Sequence, residues 1–123
     1  MDSRGYRTYK EQSINTMTRG EMLLLLYAEM LKRLMRAQLA LEKNDFILFD
    51  QSVVRTRDIV LYLEKTLNYQ YPISHELKRI YDYFLYELAR LSAGRNPQII
   101  TNLEGLIRDL QDAYTQADHQ TSL

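Results

Sequence analysis

Four stretches of this chain set apolar residues three and four positions apart, and none alternates apolar with polar. That spacing lays a stripe along one face of an α-helix, whereas a half-buried strand needs a period of two. The expected fold is therefore all-α. The stripes are Leu23, Tyr27, Met30, Leu34, Ala37 and Leu41; Phe46, Phe49, Val53, Thr56, Val60, Leu63 and Leu67; Leu77, Ile80, Tyr81, Phe84, Leu88 and Leu91; and Ile99, Leu103, Leu106, Leu110, Ala113 and Ala117, with Tyr114 on the shoulder of the last.

The breaks between stripes carry the chemistry of helix ends. Thr18 is an N-cap with Glu21 placed for a capping box, and Met17 and Met22 are spaced as a hydrophobic staple. Asn44-Asp45 supplies a turn and the next cap. Pro72 pushes the residue before it out of helical geometry and lacks a donor, so Ser74 is expected to cap the third helix. Gly94 suits a left-handed residue after that helix, and Asn96-Pro97 is a cap followed by proline at the first helical position. Helices are thus expected at about 18–42, 45–68, 74–93 and 97–118. Short links favour antiparallel neighbours, hence an antiparallel four-helix bundle over residues 18–118. Residues 1–17 hold Tyr6, Tyr9 and Ile14 among polar neighbours, too little apolar surface for a layer, and are expected to form a mobile or partly helical arm or lid; residues 119–123 form a tail.

Composition excludes several function classes. At 123 residues the chain is one domain that buries roughly two-thirds of its unfolded surface. It has no cysteine, which rules out disulfides, thiol catalysis and cysteine-based zinc sites and fits a reducing, cytoplasmic setting. The start is too polar for a signal peptide, and the longest apolar run, Met22 to Ala28, is too short to span a bilayer. Sixteen basic residues against sixteen acidic ones leave no broad positive field, so nucleic acid is not an expected partner.

Catalytic candidates are few. His75-Glu76-Leu77-Lys78 resembles the His-x-x-Lys of phosphotransfer bundles, but His75 falls in a first helical turn with Arg79 beside it, whereas a phosphotransfer histidine normally sits mid-helix. A di-iron bundle needs Glu-x-x-His pairs, and Pro72 and Gln116 stand three before the two histidines. Neither a glycine-rich phosphate loop nor a nucleophile elbow occurs. The acidic residues of the last three helices alternate with lysines and arginines, as on a solvated face with pairs four apart. The expectation is a protein that binds rather than catalyses, with no cofactor and no metal.

The second helix carries more apolar surface than one seam uses. Ile47, Val54 and Leu61 form a line on one side of the seam, and Leu48, Ile59 and Tyr62 lie on the other. Something should cover part of that excess. Among the ten tyrosines, Tyr27 and Tyr81 lie on core stripes, each expected to send its hydroxyl to a partner at the bundle edge. Tyr62, Tyr83 and Tyr86 lie off the stripes and are candidates for contact with a partner.

Ile80-Tyr81-Asp82-Tyr83, preceded by Leu77, resembles the Leu-Tyr-Asp-Tyr signature of the FliS flagellin export chaperones. Leu24-Leu25-Leu26-Tyr27 is similar to that family's apolar run ending in Leu-Tyr, Arg57-Asp58-Ile59-Val60 with Leu63 to its Asp-Ile-Ile segment, and Ile107-Arg108-Asp109-Leu110 with Ala113-Tyr114 to its final helix. The resemblance spans residues 5–118. It departs at Thr18-Arg19-Gly20-Glu21, where the family usually has Ser-Pro-Glu, and at Ala28-Glu29, where it usually has Asp-Gly.

The resemblance implies a cytosolic chaperone that holds the disordered C-terminal segment of flagellin in an apolar groove, prevents premature polymerisation and delivers it to the type III export gate. Candidate client-binding residues are Leu24, Met35, Ile47, Leu48, Val54, Ile59, Leu61, Tyr62 and Tyr83, with Met22, Met30 and Met35 adding adaptable side chains. Ile59 also matches a core position of the family. Tyr6-Arg7-Thr8-Tyr9 resembles the family's N-terminal hydrophobic-x-x-Tyr, so Tyr6, Tyr9 and Ile14 are candidates for docking on the cytoplasmic domain of the gate protein or for covering the empty groove. The alternatives are a phosphotransfer module using His75 and a structural adaptor that oligomerises; a homodimer in the absence of client is compatible with the same surface.

Overall fold

The computed structural model describes residues 17–121, with side chains to residue 116. Four helices follow one another: α1 (Arg19–Glu42), α2 (Phe46–Lys65), α3 (Ile73–Gly94) and α4 (Pro97–Thr121). Helix α1 packs against α2 and α4, and α3 packs against the same two, so the helices form a ring in chain order. Contacts between opposite ends make the neighbours antiparallel. The Arg19 guanidinium at the start of α1 donates to the carbonyl of Thr66 just past α2, Glu64 near the end of α2 meets Lys78 near the start of α3, and Tyr27 in α1 meets Tyr114 late in α4. The fold is the all-α bundle that the stripes imply.

The caps explain most of the boundaries. Thr18 Oγ1 accepts from the Glu21 amide at 3.1 Å, and Asp45 Oδ1 accepts from the Leu48 amide at 3.1 Å after Asn44 turns the chain with φ 56°. Asn96 Oδ1 accepts from the Gln98 amide at 3.0 Å and starts α4 at Pro97. Three expectations need correction. Helix α2 ends at Lys65, short of Asn68, because Asn68 organises the link instead: its side chain accepts from the Gln70 amide and its carbonyl from the Tyr71 amide. Ser74 lies inside α3, which begins at Ile73, and its hydroxyl donates to the Asn68 carbonyl rather than capping. The left-handed residue after α3 is Arg95 at φ 54°, one past Gly94.

The core contains Leu23, Tyr27, Met30, Leu34, Phe49, Val60, Leu63, Tyr81, Phe84, Leu88, Leu91, Ile100, Leu103 and Ile107. The stripes drifted at their ends. Phe46 is 39% exposed and lies under the Arg95 guanidinium, 4.1 Å from its ring centroid, so a cation–π contact holds it outside the seam. Ala40 is buried while Leu41 is half-exposed; Leu67 and Ile80 are only half-buried. In α4 the inward line runs through Ile100, Leu103, Ile107, Leu110 and Tyr114, leaving Ala113 exposed and Leu106 half-buried. Met30 is wholly buried and Met22 half-buried, so of the three methionines only Met35 presents itself to solvent.

Tyr27 and Tyr81 are both 0% exposed, and their hydroxyls lie 2.7 Å apart. They pair with each other inside the core, not with partners at its edge. Burial raises the Tyr81 hydroxyl to about 12, and burial followed by the neighbouring Tyr81 holds Tyr27 higher still. The core therefore keeps one polar contact that each ring needs from the other. Replacing either tyrosine alone by phenylalanine strands a buried hydroxyl and is expected to cost about 1–3 kcal/mol. The Tyr27→Phe/Tyr81→Phe double variant should cost no more than the worse single one in urea unfolding; additive losses would contradict the pairing.

Candidate functional site

Helix α2 turns Phe49, Ser52, Val53, Thr56, Val60 and Leu63 inward. Buried Thr56 donates to the Ser52 carbonyl one turn back, which satisfies its hydroxyl within the seam. Opposite the seam, Gln51, Arg55 and Asp58 make a polar outer ridge, all three exposed. The two apolar lines of the sequence flank this ridge, and the structure gives them different surroundings.

On the α1 side lies a groove. One hollow of about 380 Å³ is lined by Leu25, Leu26, Glu29 and Arg33 of α1 and by Arg55, Asp58, Ile59 and Tyr62 of α2. A second, about 410 Å³, is lined by Arg33, Arg36, Leu48, Gln51, Ser52 and Arg55. Because both share Arg33 and Arg55, they are two halves of one channel along the α1–α2 seam. Its first half is apolar on the floor. Its second half is walled by three arginines, with Arg33 paired to Glu29 at 3.8 Å across the junction. Ile59 packs against the core and lines this groove at once, which reconciles its place on a flank with a core position.

The other line, Ile47, Val54 and Leu61, stands in solvent, Ile47 at 75% exposure and Val54 at 53%. Leu24 is half-buried and Met35 exposed, both on the flank of α1 turned away from α2. Tyr83 and Tyr86 are exposed on α3, where the Arg90 guanidinium lies 5.9 Å from the Tyr86 ring and also pairs with buried Glu87 at 2.8 Å. Of the nine candidates, then, the groove gathers Leu48, Ile59 and Tyr62; Ile47, Val54 and Leu61 form a separate strip across the ridge; Leu24, Met35 and Tyr83 lie apart. Tyr6, Tyr9 and Ile14 fall outside the described residues. The sequence stripes did not flag Leu25, Leu26, Arg33, Arg36 and Arg55 as groove walls. Arg33 and Arg36 share a helical face by spacing, but only packing says which neighbour that face meets.

Other polar clusters hold the bundle. Lys78 bridges Asp82 at 2.8 Å and Glu64 at 3.7 Å, tying α3 to α2. Burial, then the Asp82 carboxyl, raises Glu64, while the hydrogen bond from Lys78 lowers Asp82. A further hollow of about 440 Å³ opens at the end of the bundle among Arg19, Leu67, Tyr71, Ile73 and Tyr114. His75 is exposed in the first turn of α3, its ring 5.3 Å from that of Tyr69. Among the described residues no group of three or more histidines or carboxylates gathers as a metal site, and no helix is long and apolar enough to cross a membrane.

The chain is similar to known proteins over nearly its whole length. The family model described as "Flagellar protein FliS" matches residues 2–121. The chain is 30% identical over 112 residues to the flagellar secretion chaperone FliS of Bacillus subtilis strain 168, covering 91% of this chain and 84% of that protein.

The strip is surplus to folding, and that is measurable. Ile47→Ser and Val54→Ser are expected to shift unfolding by no more than about 0.5 kcal/mol, whereas Val60→Ala in the seam should cost about 1–3 kcal/mol. Large losses at Ile47 or Val54 would assign them to the core.

Proposed function

Because the chain belongs to the FliS family of flagellar proteins, we propose that it is an export chaperone that binds the C-terminal segment of flagellin on the outer face of α2, keeps that segment from polymerising, and presents it to the export gate. The observation that carries this reading is the pair of apolar lines on α2 left uncovered among the described residues, one set in a groove with α1 and one exposed. Contiguous exposed apolar surface on a small bundle is a mark of a contact site, because leaving it in water costs free energy that a partner recovers. Two lines on either side of one ridge suit a long segment that wraps the helix better than a single short peptide. A client that is disordered when free loses a few kcal/mol on ordering, so a long apolar track is needed for useful affinity.

Ile59 and Tyr62 form the apolar floor of the groove, Leu48 stands at its far half, and Ile47, Val54 and Leu61 supply the second track. Leu24, Met35 and Tyr83 extend the contact only if the client passes beyond α2. Tyr6, Tyr9 and Ile14 are assigned to docking on the cytoplasmic domain of the gate protein or to covering the empty track, on the strength of the family resemblance. The place of action is the cytosol, before export. No step in this role breaks a bond, so the chain works without catalysis.

The decisive experiment is co-expression and pull-down with flagellin, intact and lacking its C-terminal segment. The chaperone reading expects a one-to-one complex with intact flagellin only. Retention of the truncated form would overturn the C-terminal segment as the bound region, and a persistent homo-oligomer with no complex would favour the structural adaptor. In the same format, Tyr6→Ala with Tyr9→Ala should weaken capture of the gate's cytoplasmic domain and leave flagellin capture intact; unchanged gate capture removes the docking assignment.

A further inference from the structure

The α1–α2 groove is polarised along its length, and that polarity fixes how a segment can lie in it. At one end the floor is Leu25, Leu26, Ile59 and Tyr62, with Glu29 and Asp58 on the rim. At the other end stand Arg33, Arg36 and Arg55 around Ser52 and Gln51. Glu29 partly neutralises Arg33, but among the described residues Arg36 and Arg55 take part in no ion pair. Helix α1 therefore runs from the apolar end, at Leu25, towards the basic end, at Arg36, while antiparallel α2 runs the other way, from Leu48 to Tyr62.

We infer that this groove takes a helical client segment in one orientation, parallel to α1, with negative charge at its C-terminal end held by Arg36 and Arg55. Two physical terms agree on that direction. The C-terminus of a helix carries the negative end of its dipole and several carbonyls without intrahelical partners, and arginine donors satisfy both. Acidic side chains or a chain-terminal carboxylate in the last turn, unfavourable for an isolated helix, gain a forked guanidinium partner here. The reverse orientation places the positive helix end against three arginines and the negative end against Glu29 and Asp58. Groove length fits one such helix: from Leu26 to Arg36 along α1 is roughly 15 Å, or about three turns. The apolar floor selects for an amphipathic segment and the basic wall for its direction, so the two halves give affinity and register separately.

This inference rests on the proposed flagellin client, and its test separates the two. Calorimetric titration of the full chain with the C-terminal segment of flagellin is compared for the wild type, for Arg36→Gln/Arg55→Gln, and for Lys32→Gln/Lys43→Gln, which removes the same charge from exposed positions of α1 and its cap outside the groove. The arginine pair is expected to lose about tenfold in affinity at low salt and to flatten the salt dependence, while the lysine pair stays close to wild type. Circular dichroism confirms that each variant is folded. Direction is read with a spin label on a single introduced cysteine, which the cysteine-free chain permits. A label at Gln51→Cys should broaden client signals that lie C-terminal, within one helix, to those broadened by a label at Asp58→Cys. Wild type that binds flagellin with equal losses in both double variants, or with the reverse order of broadening, overturns the oriented groove and leaves the client reading standing. Wild type that does not bind overturns both.

Discussion

The hydroxyl contact between Tyr27 and Tyr81 is the constraint around which this bundle is arranged. In the ring α1–α2–α3–α4 these two residues belong to helices that are not neighbours, so their 2.7 Å contact crosses the core. Two phenol groups deprived of water must find each other, and any sliding of α1 against α3 breaks the hydrogen bond that joins them. The ring of Tyr114 closes on Tyr27 at 5.9 Å and brings α4 into the same centre. With register fixed there, the seam of α2 from Phe49 to Leu63 is fully used, and Ile47, Val54 and Leu61 are left outside the core.

That division separates folding from binding within one helix. Positions such as Phe49 and Val60 are wholly buried, while Ile47 and Val54, two residues before and one after inward-facing neighbours, stand in solvent. A helix with apolar residues on three sides is normally a buried one. Here the chain leaves one side uncovered among the described residues, and the rim of charged groups, Arg55 and Asp58 on the ridge and Glu29 and Arg33 across the groove, limits the apolar area that can meet a second molecule without direction. The same charges give the groove its two ends.

Much of the fold was legible in the sequence because caps and periodicity are local. Thr18, Asp45 and Asn96 each cap the helix that their side chains announce, and the middle of the first three stripes is buried. Most misreadings fall at ends, where long-range contacts decide. Phe46 belongs to the period of the seam but is captured by Arg95 just past α3, and Ser74 looks like a cap but bonds back to Asn68. The candidate site was half legible. Excess apolar residues on α2 are visible from spacing, yet the partners that turn Ile59 and Tyr62 into a groove wall, above all Leu25, Leu26 and Arg33, depend on which face α1 shows to α2, a matter of packing angle. Glu87 is buried with no hint from its surroundings in sequence, its charge satisfied by Arg90 one turn on.

The central claim is that the uncovered face of α2, together with the α1 wall of its groove, is where the client binds. Methyl NMR of the chain with and without the C-terminal segment of flagellin addresses it most directly. The account expects the largest shifts at the methyls of Leu25, Leu26, Ile47, Val54 and Ile59, with Leu88 and Leu91 in the core nearly unmoved. Shifts confined to the α3–α4 side, at Leu85 and Leu106, would contradict it.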